Sequence, residues 1–371
     1  MDNLRYWLGF NLVRGIGPMR LRMLLQAFGD VRSAWEAPEA ALHEISLDRR
    51  ALGNLLQVRR QVDLDALLRR VEQAGATVFT WDSEDYPSLL RQISDAPPVL
   101  FVRGTLTPAD EWAVALVGTR KATVYGREVA HRLAEELAAN HVTVISGLAR
   151  GIDSIAHKAA LDAGGRTIAV MGTGVDTIYP AEHRRLADAI VENGALVSDY
   201  PLGTHPESAN FPARNRIISG LSLGIIVVEA GIKSGALITA DFAADHGREV
   251  FAVPGSILSP ASAGCNRLLR DGAAIVTEAR DVLETLHLDQ LAEKQVAREI
   301  LPENATEAAL LDQLSPEPQH LDALSRQLTL PVETISSALV MMELKGMVRQ
   351  VAPLQYVRAR EPEVPYLTDA P

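Results

Sequence analysis

Residues 211–239 read FPARNRIISGLSLGIIVVEAGIKSGALIT. The stretch opens with Phe211, Arg214, Asn215 and Arg216 at the start of a predicted helix. An apolar run, LGIIVVEA, follows; it has the length of a strand buried on both faces and is too short for a helix of its own. The loop that closes this run carries Lys233, Ser234 and Gly235, and another apolar helix begins at once. Helix, buried strand, loop, helix is the repeating unit of a parallel sheet covered on both faces.

Working outward, the same unit recurs from about residue 112 to 288. WAVALVG, HVTVISG, TIAVMGTG, ALVSDYP and EVFAVPG are short apolar runs, and REVAHRLAEELAAN, IDSIAHKAALDAG, AEHRRLADAIVENG and ALITADFAADHG between them are helical in pattern. This alternation predicts an α/β fold, an extended Rossmann-like doubly wound parallel sheet, over residues 76–288. The first part of that span, WDSEDYPSLLRQISDAPPVLFVRG, reads as a connection rich in turn and proline signals. Residues 1–75 read as a small helical domain of helix-hairpin-helix or SAM-like type, with helical spacing after the Gly15-Ile16-Gly17-Pro18 turn. Such a turn can offer N–H groups to a phosphate or serve packing alone. Residues 289–304 are polar, contain Pro302 and read as a linker; 305–360 have the order of a winged helix, and 361–371 form a tail. Residues 306–348 hold six acidic side chains against Arg326 and Lys345. The expected recognition helix, VETISSALVMMELKG, therefore favours protein contact or structural support over DNA reading.

At 371 residues the chain exceeds one ordinary core, and its formal net charge of −11 makes positive charge concentrated at 211–235 a local feature. The single cysteine, Cys265, excludes a disulfide within the chain and a cysteine zinc site, and reads as a small core residue in a reducing compartment. MDNLRYWLGF lacks the basic start and apolar core of a signal peptide, and no apolar run reaches the roughly 18 residues of a spanning helix. The expectation is a cytoplasmic protein without a membrane span.

In open α/β sheets ligands sit beyond the carboxyl ends of the strands. Those ends here carry Gly118-Thr119-Arg120, Ser146-Gly147 with Arg150, Gly172-Thr173-Gly174, and Lys233-Ser234-Gly235. Glycines permit close backbone approach and helix N-termini favour anions, so four such loops on one sheet edge predict a phosphate-bearing ligand. Neither the G-x-G-x-x-G fingerprint after the first strand nor a P-loop is present, which disfavours nicotinamide redox chemistry and P-loop ATP hydrolysis. Asp153 and His157 have the spacing of a metal pair or general base, but no third ligand is near in sequence, and helix capping with packing is the preferred reading. His183 and His205 read as solvated, and Glu229 as a partner for Arg120 or Arg216. Arginine is unfavourable at a helix N-terminus unless an anion compensates, and Phe211 beside it can stack an unpaired base. Ion-pair anchoring and a hydrophobic staple are the competing readings of that stretch.

GTR at 118–120, SGLARGID at 146–153, GTGVDTIYP at 172–180, FPARNRIISG at 211–220 and EAGIKSGALITA at 229–240 resemble the DNA-processing protein A family, DprA or Smf. The resemblance covers nearly the whole chain. It implies a Rossmann-type domain that binds single-stranded DNA, protects incoming DNA in natural transformation and helps load the recombinase RecA, as a homodimer, without a cofactor and without making or breaking a bond. The pocket residues it implies are Gly118, Thr119, Arg120, Ser146, Gly147, Arg150, Phe211, Arg214, Asn215, Arg216, Lys233, Ser234 and Gly235, with no catalytic or metal-binding residue. The main alternative is a nucleotide-binding hydrolase of the phosphoribohydrolase-like Rossmann group, disfavoured because GIKSGALITA stands where those enzymes carry P-G-G-x-G-T-x-x-E. A winged-helix regulator is a third class, disfavoured by the acidic C-terminal segment.

Overall fold

The computed structural model describes residues 3–45, 47–288, 304–315, 318–328, 330–344 and 348–358. The chain divides into two compact units, residues 1–288 and 289–371.

The first unit begins with six helices: α1 (Leu4–Asn11), α2 (Pro18–Phe28), α3 (Val31–Glu36), α4 (Glu39–His43), α5 (Arg49–Gln61) and α6 (Leu64–Gln73). Asp30, Asp48 and Asp63 precede α3, α5 and α6, and each carboxylate accepts from first-turn amides that the helix cannot satisfy itself. The sheet follows: β1 (Thr77–Thr80), α7 (Ser88–Gln92), β2 (Val99–Gly104), β3 (Ala113–Val117), α8 (Val124–Ala139), β4 (Thr143–Ser146), α9 (Ile152–Asp162) and β5 (Thr167–Val170). It continues through α10 (Arg184–Asn193), β6 (Gly194–Ser198), α11 (Asn210–Gly220), β7 (Gly224–Val227), α12 (Gly235–Asp245), β8 (Glu249–Ala252), α13 (Ala263–Arg270), β9 (Ala274–Ile275) and α14 (Ala279–Thr285).

The strand order is β1-β2-β6-β5-β4-β3-β7-β8-β9. From β6 to β9 all neighbours are parallel, while β2 runs antiparallel to both β1 and β6. Every residue of β3, β4, β5, β6 and β7 is buried, as expected of strands covered on both faces. After β3 the chain steps outward to β6 and then returns to lay β7 on the other side of β3. Strand order therefore reverses at β3.

Two features differ from the pattern-based expectation. The stretch read as a proline-rich connection contains α7 and β2, and β2 joins the sheet directly. Pro97 and Pro98 stand just before this strand, where a missing N–H costs the ladder nothing. The helical layer also shares its core with the sheet: Trp7, Phe10 and Trp35 belong to one apolar cluster with Phe101, Leu148 and Met171. Phe10 meets Trp35 edge-on at 5.1 Å between centroids, and Trp7 Nε1 donates to Asp82 Oδ2 at 3.1 Å. Among the described residues no helix is long and apolar enough to cross a membrane.

In the second unit, helices Ala305–Gln313, Leu321–Leu328 and Val332–Leu344 pack with a three-stranded sheet. Its strands β10 (Gln319–His320), β11 (Val348–Ala352) and β12 (Gln355–Arg358) lie in the order β10-β12-β11, a winged-helix arrangement. Leu310, Leu324, Ile335, Leu339, Met342 and Tyr356 form its core. Asn304 caps the first helix by accepting from Glu307 N at 2.9 Å, whereas the rest of the expected linker and the tail lie outside the described residues.

All four tryptophans, Trp7, Trp35, Trp81 and Trp112, lie in the first unit, so tryptophan fluorescence excited at about 295 nm reports on that unit alone. Phe10→Ala should lower its stability by about 3–5 kcal/mol. Urea unfolding should show one transition at reduced denaturant. A second transition at the wild-type midpoint would mean that the helical layer and the sheet unfold independently.

Candidate functional site

The reversal at β3 leaves a crevice between the loops that follow β3 and β7, where no crossover helix covers the strand ends. A cleft of about 580 Å³ opens there. Val117 and Gly118 form its floor, and Thr119 and Arg120 follow on the first loop. Ala149 and Asp153 come from the loop and helix after β4. Lys233, Ser234 and Gly235 come from the loop after β7 and the start of α12. The opposite wall is the first turn and a half of α11, with Phe211, Arg214 and Asn215.

Arg120 and Lys233 are both exposed, and among the described residues neither has a carboxylate partner. The Arg120 guanidinium instead lies over the Phe211 ring, 5.8 Å from its centroid. Ser234 caps α12 by accepting from Ala236 N at 3.3 Å, so the positive end of the α12 dipole faces the same space. Asn215 Nδ2 donates to Gly235 O at 3.4 Å and ties the two walls together. Phe211 packs against the backbone of Gly172, where a Cβ would stand 2.8 Å from its ring; no larger residue fits there.

Arg214 is 4% exposed, yet it lines the cleft. Its Nη1 donates to Gly147 O at 2.8 Å, and among the described residues its Nε has no partner. Asp153, 8% exposed, accepts from the N–H groups of Gly147 and Ala149 at 3.2 and 3.3 Å. A Cβ on Gly147 would lie 2.5 Å from Arg214 Nη2 and 2.7 Å from Asp153 Oδ2, so only glycine lets both charges approach here. Burial pushes the Asp153 carboxyl up, against the pull of Arg214, and lowers Arg214 to about 10, against the pull of Asp153. The two buried groups face each other across Gly147 at the back of the cleft, each held by backbone and not by a direct bond to the other.

Nine of the residues expected at the site line this cleft: Gly118, Thr119, Arg120, Phe211, Arg214, Asn215, Lys233, Ser234 and Gly235. Ser146, Gly147, Arg150 and Arg216 do not. Ser146 Oγ is buried and donates to Leu116 O at 2.6 Å. Arg216 turns away: it donates to Asp199 Oδ2 at 2.5 Å and to Asp95 O at 2.9 Å, joining α11 to the end of β6 and the loop after α7. Arg150 is exposed and bound at 2.6 and 2.9 Å by Glu182. The compensation demanded by arginines at the start of α11 thus comes from Asp153, Asp199 and Asp95 of the protein itself. Glu229 partners neither Arg120 nor Arg216; its carboxylate accepts from Thr123 N at 2.9 Å and Thr123 Oγ1 at 2.6 Å and braces the loop after β3.

His183 is half-buried, with Nδ1 bonded to Leu148 O at 2.9 Å, whereas His205 is exposed. Asp153 and His157 do not converge on a ligand. His157 Nδ1 meets Thr167 Oγ1 at 2.7 Å, and among the described residues no group of three His, Cys, Asp or Glu could hold a metal ion. Cys265 is buried against Val227 O at 3.4 Å, and burial raises its thiol to about 11. Ser208, Pro212, Ile238 and Thr239 also line the cleft; they sit at or within a turn of the mouth helices, a position that no local pattern marks.

Fold and cleft define a doubly wound α/β protein with an open cleft at its switch point. Residues 77–287 match the family described as DNA recombination-mediator protein A, and residues 278–352 match the DprA winged helix domain. Protein Smf of Escherichia coli is 40% identical over 357 residues, covering 92% of this chain and 95% of that protein. The X-ray structure of DNA processing protein A from Streptococcus pneumoniae superposes with a TM-score of 0.68 at 38% identity, over 76% of this chain and 97% of that one. DNA processing protein A of Helicobacter pylori, described as having a unique single-stranded DNA binding mode, superposes at 0.52 with 31% identity, over 58% and 96%. The chain belongs to the DNA recombination-mediator protein A family.

Burial, reinforced by the Arg214 charge, lowers the His157 pKa from 6.5 to about 3. Between those values the unfolded chain binds a proton that the folded chain refuses. This contribution to stability is therefore full above pH 6.5 and lost as pH falls toward 3, at about 1.4 kcal/mol per unit. Chemical unfolding across pH 7 to 5 should show a shallower decline for His157→Gln than for wild type. Parallel profiles would contradict a neutral His157.

Proposed function

We propose that this chain binds single-stranded DNA in the cleft at the β3 switch point, with Arg120, Lys233 and the α12 N-terminus holding phosphates and Phe211 stacking a base. The observation that carries the reading is the presence of two cations without carboxylate partners, Arg120 and Lys233, on the two loops that flank the crevice of an acidic chain. Phosphate supplies the missing charge, and phosphate held beside an aromatic is the chemistry of an unpaired strand. The single-stranded DNA binding described for the H. pylori relative supports it. Arg214, Asp153 and Gly147 shape the back of the cleft, and Ser146 and Arg216 hold its walls.

On this reading the protein holds a strand and does not cut it. Asp153, the carboxylate that lines the cleft, is already engaged by two amides and faces Arg214. Protection of incoming DNA during natural transformation, delivery of that DNA to RecA, action as a homodimer and residence in the cytoplasm extend the proposal on the strength of the family. The winged-helix unit serves protein contact: its third helix exposes Val340 and Met341, at 49% and 50%, where a DNA-reading helix presents polar and basic groups.

Salt-titrated binding to single-stranded, duplex and RNA oligonucleotides tests the assignment. Arg120→Ala and Lys233→Ala should each reduce the slope of log affinity against log salt by about 0.7, the share of one single-strand phosphate. Phe211→Ala should cost about 1–3 kcal/mol with the slope unchanged. Equal binding by wild type and variants would sink the site, and turnover of free nucleotides by the wild type would favour the hydrolase instead.

A further inference from the structure

Just outside the cleft stand Arg150, already among the pocket residues the resemblance implies, and Tyr179 and Glu182, which have no part in the scheme above. Tyr179, on the loop between β5 and α10, leaves 41% of its surface in water, and among the described residues its hydroxyl has no hydrogen-bond partner. Its ring lies against Phe211, with centroids 5.4 Å apart and planes at 40°. The two rings make one aromatic step leading out of the cleft, past Arg120 on the Phe211 ring.

Beyond Tyr179 stands Arg150, on the loop after β4. Its guanidinium takes Glu182 through two hydrogen bonds of 2.6 and 2.9 Å, yet the side chains remain 58% and 54% exposed. Glu182 follows Tyr179 by three residues in the segment between β5 and α10, so the carboxylate that holds Arg150 and the ring that meets Phe211 belong to one loop. The bond from His183 Nδ1 to Leu148 O fastens the loops after β4 and β5 to each other, so the group is built on a braced pair of loops. Exposed Arg184 and Arg185 follow directly in the chain, at the start of α10.

A fork of two parallel donors is the geometry that fits a phosphate as well as a carboxylate. An exposed pair such as Arg150–Glu182 contributes little and exchanges readily for a second anion. Continuity of the two rings commits the occupant to the strand already in the cleft, because a base leaving Phe211 meets Tyr179 next. We infer that Tyr179 and Arg150 form a second nucleotide subsite: Tyr179 stacks the base adjoining the one on Phe211, and Arg150 takes its phosphate by exchanging Glu182 for it. This inference rests on the reading of the cleft as a single-strand site.

Anisotropy of a labelled oligodeoxythymidine with the full chain tests it. Tyr179→Ala should weaken binding by about 5- to 100-fold, the range of one base stack, and Tyr179→Phe should bind as wild type does. Glu182→Gln should tighten binding by about 2- to 5-fold by releasing Arg150. Arg150→Ala should flatten the salt slope by about 0.7. Both Tyr179 and Glu182 are exposed, so these variants keep the fold, and Lys233→Ala reports on the cleft separately. If Lys233→Ala weakens binding while Tyr179→Ala or Glu182→Gln matches wild type, the subsite is overturned and the cleft stands. If Lys233→Ala also binds as wild type does, the subsite falls together with the reading it rests on.

Discussion

The reversal of strand order at β3 is the constraint on which the rest of this protein depends. Parallel strands need crossovers, and crossovers that diverge to the two sides of β3 cannot cover its carboxyl end. The loops after β3 and β7 are therefore left facing each other with space between them. The backbone there is braced from within: Thr119 N donates to Glu229 O at 2.7 Å, and the Glu229 carboxylate holds Thr123. What the crevice can bind follows from which charges those loops leave unpaired.

Four basic side chains gather around this point, and the protein neutralises two of them itself. Arg214 and Arg216 are answered by Asp153, Asp199 and Asp95, which fix α11 against the sheet. Removing one partner of such a buried set would strand an uncompensated charge, a larger loss than the pair contributes when intact. Arg120 and Lys233 are left over, and both stand at the rim. The division gives the site a braced back and an open mouth: buried charge sets the position of α11 and Phe211, and exposed charge is left for a ligand.

The fold was largely legible because β3 to β7 are apolar throughout, a signal carried by consecutive residues. β2 reads as part of a connection because its partners, β1 and β6, are set by pairing across the chain, and because Pro97 and Pro98 look like loop. The common core of Trp7 and Phe10 with Phe101 and Met171 escaped for the same reason. At the site, the strand-end loops of Arg120 and Lys233 and the helix start of Phe211 meet around one cleft. The sequence motifs did not reveal that Arg216 faces Asp199, or that Glu229 braces Thr123, since each partner is remote in sequence. Residue type showed where charge would gather, whereas only geometry showed which charge remains free.

The central claim is that an unpaired strand lies in the β3 cleft with a base against Phe211. Photo-crosslinking of an oligodeoxythymidine carrying one 5-iododeoxyuridine, with the modified peptide mapped by mass spectrometry, tests this most directly. The account predicts adducts on Phe211, with Tyr179 the next position along the strand. Adducts confined to residues 305–358, or to the Gly15–Pro18 turn, would contradict it.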